Sequence, residues 1–211
     1  MAQLGFYINS AVCSGCKACE LACKDVHNFE VGPRARRVRE VCFGDWEQDA
    51  ATGAWTPSKI GSYSVSFSCG HCDDPACVAA CPTGAHAKDE ETGLVVINKD
   101  DCIGCQACVK ACPYGAPQYV EKENVTQKCD MCRGLTDLGE EPACVAICPQ
   151  RALEVGDIEE LRAKYGDASD VPPLPDSSAT TPNVVIERHA SVPADTGSLH
   201  MMSLYADDLD K

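Results

Sequence analysis

The sequence predicts an α+β chain of two pseudo-symmetric modules, with an inserted β-hairpin and an extended C-terminal tail. Three observations predict it: the spacing of the cysteines, a period-two stretch between two groups of them, and a change of character after Cys148. Sixteen of the seventeen cysteines fall into four quartets. These are Cys13, Cys16, Cys19 and Cys23; Cys69, Cys72, Cys77 and Cys81; Cys102, Cys105, Cys108 and Cys112; and Cys129, Cys132, Cys144 and Cys148. Each quartet supplies the thiolates for one cubane cluster, so the chain is expected to hold four 4Fe-4S clusters and to act as a wire for electrons.

The third quartet reads CIGCQACVKACP, the C-x2-C-x2-C-x3-C-P run of bacterial ferredoxins. Three thiolates so spaced wrap three corners of a cubane while the short loop aims backbone N–H groups at its sulfides. The fourth points away and is free to ligate a neighbouring cluster, so clusters come in pairs. Pro113, Pro82 and Pro149 follow Cys112, Cys81 and Cys148, remove a backbone donor and fix the exit of the chain. The first quartet has Lys24 at that place. The second stretches one gap through Asp-Asp-Pro-Ala, and the fourth places eleven residues between Cys132 and Cys144. Loop closure entropy grows slowly with length, so these insertions do not prevent ligation.

Other cysteine chemistries fit less well. Zinc ribbons use two separated C-x-x-C pairs, a reading open to the second and fourth quartets alone but not to the tight triplets of the first and third. An odd count, crowded C-x-x-C pairs and the lack of a signal peptide disfavour a disulfide framework. No C-x-x-C is followed by the histidine that a c-type haem needs.

Quartets two and three enclose Thr92-Gly93 and the expected strand Leu94–Asn98, the layout of a compact two-cluster module. Quartets one and four flank it and are left to pair with each other. Residues 1–155 are thus expected to form a four-cluster ferredoxin-like domain. Its insertion, 40–68, holds Val41 to Trp46 and Tyr63 to Phe67 joined across Ala51-Thr52-Gly53. The alternation of Tyr63, Val65 and Phe67 with Ser62, Ser64 and Ser66 has period two and predicts a hairpin. Cys42, outside every quartet, is expected to be a buried spare thiol. In the last segment, 156–211, Asp157 caps a helix Ile158 to Tyr165 that Gly166 closes. Val171 to Pro175 and Asn183 to Glu187 then read as extended chain laid along a partner.

Composition sets further bounds. The 45% apolar fraction is inflated by cysteine, and aromatics are 6% of the 211 residues. A conventional core would be thin, so cluster ligation substitutes for it and the apo chain should be poorly folded. A formal charge of −14, to which each oxidised cubane adds about two negative charges, argues against nucleic acid or an anionic membrane surface as partner. The basic stretch Arg34, Arg36, Arg37 and Arg39 reads as a solvated face, with docking against an acidic partner as the alternative. No apolar run approaches the roughly 18 residues of a membrane span. The N-terminus has neither a charged nor an apolar export region, so membrane association is expected through another subunit.

GFYINS, CSGCKACELACKD, the GDW of Gly44 to Trp46, SCGHCDDPAC, CIGCQACVKACPYGAPQY, KCDMC and the PLP and PNVVI segments cover nearly the whole chain. Together they resemble the four-cluster iron–sulfur subunits of the molybdopterin oxidoreductase superfamily, most closely those of bacterial dimethyl sulfoxide reductases. ACPYGAPQY, Ala111 to Tyr119, is the most specific part. The resemblance implies that Cys13, Cys16, Cys19 and Cys148 hold one cluster, and Cys129, Cys132, Cys144 and Cys23 its neighbour. It implies likewise that Cys69, Cys72, Cys77 and Cys112 hold a third, and Cys102, Cys105, Cys108 and Cys81 the fourth. Nitrate reductase relatives replace one cysteine of the third quartet by tryptophan and hold a three-iron cluster; Cys105 is present here, which implies four cubanes. Formate dehydrogenase relatives carry a C-terminal membrane helix that this sequence lacks.

The function so implied is electron relay, with no catalytic residue in this chain. Electrons would pass between a quinol-linked membrane anchor and a molybdopterin catalytic subunit, with molybdenum or tungsten, that reduces an acceptor such as dimethyl sulfoxide. A free polyferredoxin, or the same subunit of another molybdopterin enzyme such as a dehydroxylase, are the alternatives. Location at the outer face of the bacterial cytoplasmic membrane by co-export is favoured over the cytoplasm. An independent enzyme would need an open iron site, and all four quartets are complete.

Overall fold

A computed structural model describes residues 3–192 together with the backbone of 201–203. The first strand, β1 (Leu4–Asn9), carries no charged residue and is buried from Gly5 to Ile8 because both its faces are covered. Phe6 and Ile8 enter the main core, whereas Tyr7 faces a smaller cluster with Ile158, Leu161 and Val185. The cysteine loop then leads into α1 (Ala18–Val26). The hairpin strands β2 (Arg37–Gln48) and β3 (Trp55–Phe67) are antiparallel, with a register shift between Phe43 and Asp45. Asp49 shapes their turn by accepting the N–H groups of Ala51 and Thr52.

Short elements follow: α2 (Ala76–Ala79), β4 (His86–Lys88), β5 (Val95–Ile97), α3 (Ala107–Ala111), β6 (Gln118–Val120) and β7 (Val125–Gln127). Strands β4 and β5 pair with each other, as do β6 and β7. Next come α4 (Arg133–Thr136), inside the long gap of the fourth quartet, and α5 (Ala143–Ala146). Both α2 and α5 begin on a proline, Pro75 and Pro142, and both read Ala-Cys-Val-Ala. Helix α1 packs on α5, and α2 packs on α3.

Strand β8 (Leu153–Asp157) pairs antiparallel with β1 and runs into α6 (Ile158–Tyr165). Asp157 caps α6 as expected: its Oδ1 accepts from Glu159 N at 2.9 Å and Glu160 N at 3.2 Å. After a turn at Ser177–Ala179, β9 (Val184–Glu187) pairs parallel with β1 and completes a sheet of order β8-β1-β9. Strand β10 (Met201–Ser203) adds to the outer side of β2.

Several expectations are met differently. The hairpin is longer than Val41–Trp46 and Tyr63–Phe67, because its distal half projects from the core and carries exposed Trp46, Trp55 and Ile60. Val184, Val185 and Ile186, read as lying along a partner, are instead buried in this chain's own sheet. The apolar run did signal burial, and β1 supplies the edge that covers it. Of the expected tail, 193–200 and 204–211 lie outside the described residues. Cys42 is half-buried on β2 and not in the core. The four arginines form no solvated face: Arg36 is 1% exposed, Arg34 pairs with Glu20 at 3.1 Å, and Arg37 and Arg39 donate to the Tyr114 carbonyl.

Candidate metal centres

The quartets sit on loops whose backbone is set for them. In the first, Gly15 and Lys17 have positive φ, and in the third Gly104 and Gln106 do, at the same offsets from the leading cysteine. In the second and fourth the matching offsets are His71 and Met131, with Cys132 also positive. Left-handed residues within a short turn gather successive N–H groups into a concave nest that suits an anionic group. Backbone N–H groups also reach ligand sulfurs directly: His71 N, in the second loop, reaches Cys69 Sγ at 3.5 Å, Thr126 N of β7 reaches Cys102 Sγ at 3.4 Å, and Ala152 N reaches Cys148 Sγ at 3.3 Å.

The structure brings cysteines together across quartets as well as within them. Cys13, Cys16, Cys19 and Cys148 line one cavity with Val38, Ser66 and Leu153. Burial pushes the Cys72 thiol up to about 11, reinforced by Cys69 and Cys112. Burial, with Cys69 and Cys112 beside it, takes Cys77 to about 12. The Cys129 thiol is raised by burial and then by Cys144, with Cys69 and Cys23 also near, and Cys132 by burial with Cys144. In the third loop burial raises Cys108, which has Cys102 as a neighbour. Cys105 is exposed on that loop, as Cys16 is on the first. Cys81 follows α2, the helix that packs on α3, and its thiol bonds Thr83 Oγ1 at 3.7 Å.

Dense, buried thiols that resist ionisation are the donor set that iron draws into the thiolate form, so the residues fit iron–sulfur clusters. Two buried cations stand among them. Arg36 lies near Cys144, Cys19, Cys129 and Cys23; burial opposes its charge, and negative charge on those sulfurs favours it. Lys128 is 5% exposed and donates to the carbonyls of Val95 and, at 2.9 Å, Cys129. His27 donates from Nδ1 to the Cys23 carbonyl and from Nε2 to Asp130 Oδ1, both 2.9 Å away, and the Asp130 contact first, then Cys23, pushes its pKa up to about 11. The ligand atoms of His27, Asp130 and Cys132 gather within 4.8 Å, and Cys132 is itself a member of the fourth quartet.

Sequence reasoning missed Arg36, Ser66, Lys128 and His27. The one available signal was the serine face of β3, whose alternation was read only as the mark of a hairpin. Ser64 and Ser66 are buried because that face is turned to the first quartet, where Ser66 Oγ lies 3.2 Å from Cys19 Sγ.

Comparison with known proteins bears on the identity of these centres. The profile of a 4Fe-4S dicluster domain matches residues 61–158, and that of a 4Fe-4S binding domain matches 10–29. A probable anaerobic dimethyl sulfoxide reductase chain, YnfG, of Escherichia coli (strain K12) is 49% identical over 189 residues, 90% of each sequence. One chain of the anaerobic dimethyl sulfoxide reductase of the same strain is 48% identical over 189 residues, again 90% of each. This protein belongs to the iron–sulfur subunit family of anaerobic dimethyl sulfoxide reductases. The corresponding anaerobic dimethyl sulfoxide reductase chain of Haemophilus influenzae is 45% identical over 198 residues, 93% of this sequence and 95% of that one. As a member of that family the protein is an electron-transfer iron–sulfur subunit with 4Fe-4S clusters and a mixed α+β, ferredoxin-like fold. Among the described residues no helix is long and apolar enough to cross a membrane.

Proposed function

We propose that this chain carries four 4Fe-4S clusters and relays electrons between a quinol-linked membrane anchor and a molybdopterin catalytic subunit that reduces dimethyl sulfoxide or a related acceptor. The observation that carries the reading is the pairing of cysteine helices, α1 on α5 and α2 on α3, together with the cavity that Cys148 shares with Cys13, Cys16 and Cys19. That geometry supports two modules, quartets one and four in one and two and three in the other. Within each, the last cysteine of a quartet serves its neighbour's cluster. Cys13, Cys16, Cys19 and Cys148 hold one cluster, and Cys129, Cys132, Cys144 and Cys23 the next. Cys69, Cys72, Cys77 and Cys112 hold a third, and Cys102, Cys105, Cys108 and Cys81 the fourth. Each cluster supplies a site that takes up and releases one electron.

This chain's own residues bury the ligands, direct N–H groups at the sulfurs and fix the spacing, and catalysis is left to the partner. The subunit is held at the membrane through the anchor, on the outer face. The 48% identity to an anaerobic dimethyl sulfoxide reductase chain supports the choice of partner. Native anaerobic pull-down of the full chain, with mass spectrometry and metal analysis, tests it. A large molybdenum or tungsten protein recovered with about 16 irons per chain is expected. Zinc in place of iron, or a lone chain with neither metal, would overturn it; recovery of a catalytic subunit for another acceptor would move only the acceptor.

A further inference from the structure

Arg36 is the first of the large fully buried side chains, 1% exposed. Its Nη1 donates to the Ser66 carbonyl at 3.0 Å and to Ser66 Oγ at 3.1 Å, its Nη2 donates to Ser68 Oγ at 2.9 Å, and its guanidinium lies 4.6 Å over the Phe6 ring. Among the described residues these partners are all neutral, and the buried Nε has none. An uncompensated buried charge is strongly destabilising, so a counter-charge is required from another source. The groups around it that can carry negative charge include Cys19, Cys144, Cys129 and Cys23, with Cys13 also under its influence. These thiols come from the first and fourth quartets alone, and they divide between the two clusters that those quartets hold in the reading above.

We propose that Arg36 is the shared counter-cation of these two clusters and raises the reduction potential of both, with Ser66 coupling it to the one held by Cys19. Reduction makes each cluster one unit more negative, and a fixed positive charge in a low-dielectric site favours that state. Ser66 Oγ accepts from Arg36, which leaves its own hydrogen to donate to Cys19 Sγ, 3.2 Å away. A hydrogen bond to a ligand sulfur acts in the same direction. The strongest thiol influences at Arg36 all come from quartets one and four, whereas Lys128 stands beside Cys77 of quartet two. The effect therefore belongs to one module.

The inference rests on the four-cluster reading, and its test separates the two. The anaerobically purified complex is prepared as wild type, Arg36→Met, Arg36→Lys and Ser66→Ala, iron and partner content are measured first, and electron paramagnetic resonance then follows a redox titration. Wild type short of iron or partner would count against the relay. With iron complete, Arg36→Met should lower two of the four steps by at least tenfold in the oxidised-to-reduced ratio, about 59 mV for a one-electron couple, and leave the others in place. Arg36→Lys should stay within about threefold of wild type, and Ser66→Ala should lower one step only. Unmoved steps in Arg36→Met, or an equal shift in all four, would overturn the proposal. Should Arg36→Met lose iron, Arg36→Gln, which removes the charge and keeps donors toward Ser66, decides: two steps lowered upholds the proposal, and none lowered overturns it.

Discussion

His86 is 3% exposed, and neither ring nitrogen has a hydrogen-bond partner among the described residues. Burial, and then the charge of Lys128, hold its pKa down at about 4. In the unfolded chain the imidazole takes up a proton below about 6.5, whereas in the folded chain it stays neutral until about 4. Stability is therefore intact above pH 6.5 and falls as pH drops from there toward 4, by about 2 kcal/mol at pH 5. His86→Leu should remove that slope and change stability at pH 7.5 by under about 1 kcal/mol, since the ring makes no bond to lose. Anaerobic thermal unfolding of both proteins at pH 5 and 7.5 checks this, and an equal decline in the two would refute it. The residue scale also marks where reading the sequence stopped. Cluster ligands are legible because coordination fixes their spacing. Arg36 was hidden in a run of arginines, and only the strand period separates it from its neighbours. Arg36 and Val38 turn to the core while Arg37 and Arg39 turn to the Tyr114 carbonyl.

At the scale of elements, α6 is held at its start by Asp157 and over its length by Tyr7, Val185 and the stacking of Tyr165 on Tyr7, with ring centroids 3.7 Å apart. Asp157→Ala should lower stability by about 1 kcal/mol, the usual worth of such a cap. The loss should appear as faster amide exchange confined to α6, with iron content unchanged; faster exchange through the cysteine loops would contradict it. The hairpin invites a harsher change. Trp46, Trp55 and Ile60 are 64%, 60% and 67% exposed, and Phe43 pairs with Gly61 across β2 and β3. Replacing residues 44–60 by Asn-Gly, which suits a two-residue hairpin turn, should therefore leave the full iron complement in place. Iron lost from the trimmed chain would mean that the arm supports the clusters. Hairpin and α6 were both legible, one from period-two alternation and one from its cap. Strand β9 was legible only as buried, because its partner β1 lies far away in the chain and no local pattern encodes a parallel pairing.

On the scale of the whole molecule, the thin core expected from 6% aromatic residues has a structural counterpart. Cys19, Cys69, Cys129 and Cys144 belong to the main hydrophobic cluster itself, packed among Phe6, Val65 and Leu94. The core is thus built partly of ligands. Without iron, burial keeps such thiols protonated, as the rise of Cys72 to about 11 and Cys77 to about 12 indicates. Arg36 and Lys128 then remain buried with no anion bonded to them among the described residues, a penalty of several kcal/mol each. A domain of this size is stable by only about 5–15 kcal/mol, so two such penalties and the lost iron–thiolate bonds exceed what the apolar contacts retain. Stripping the isolated subunit of iron by oxidation and chelation, in the presence of thiol reductant, should therefore abolish near-ultraviolet circular dichroism and open the cysteine loops to protease. Disulfide formation is excluded as the cause by the reductant, and restoring iron and sulfide should restore both signals. An apo chain that kept its near-ultraviolet spectrum would show that the sheet β8-β1-β9 and its packing suffice without the clusters.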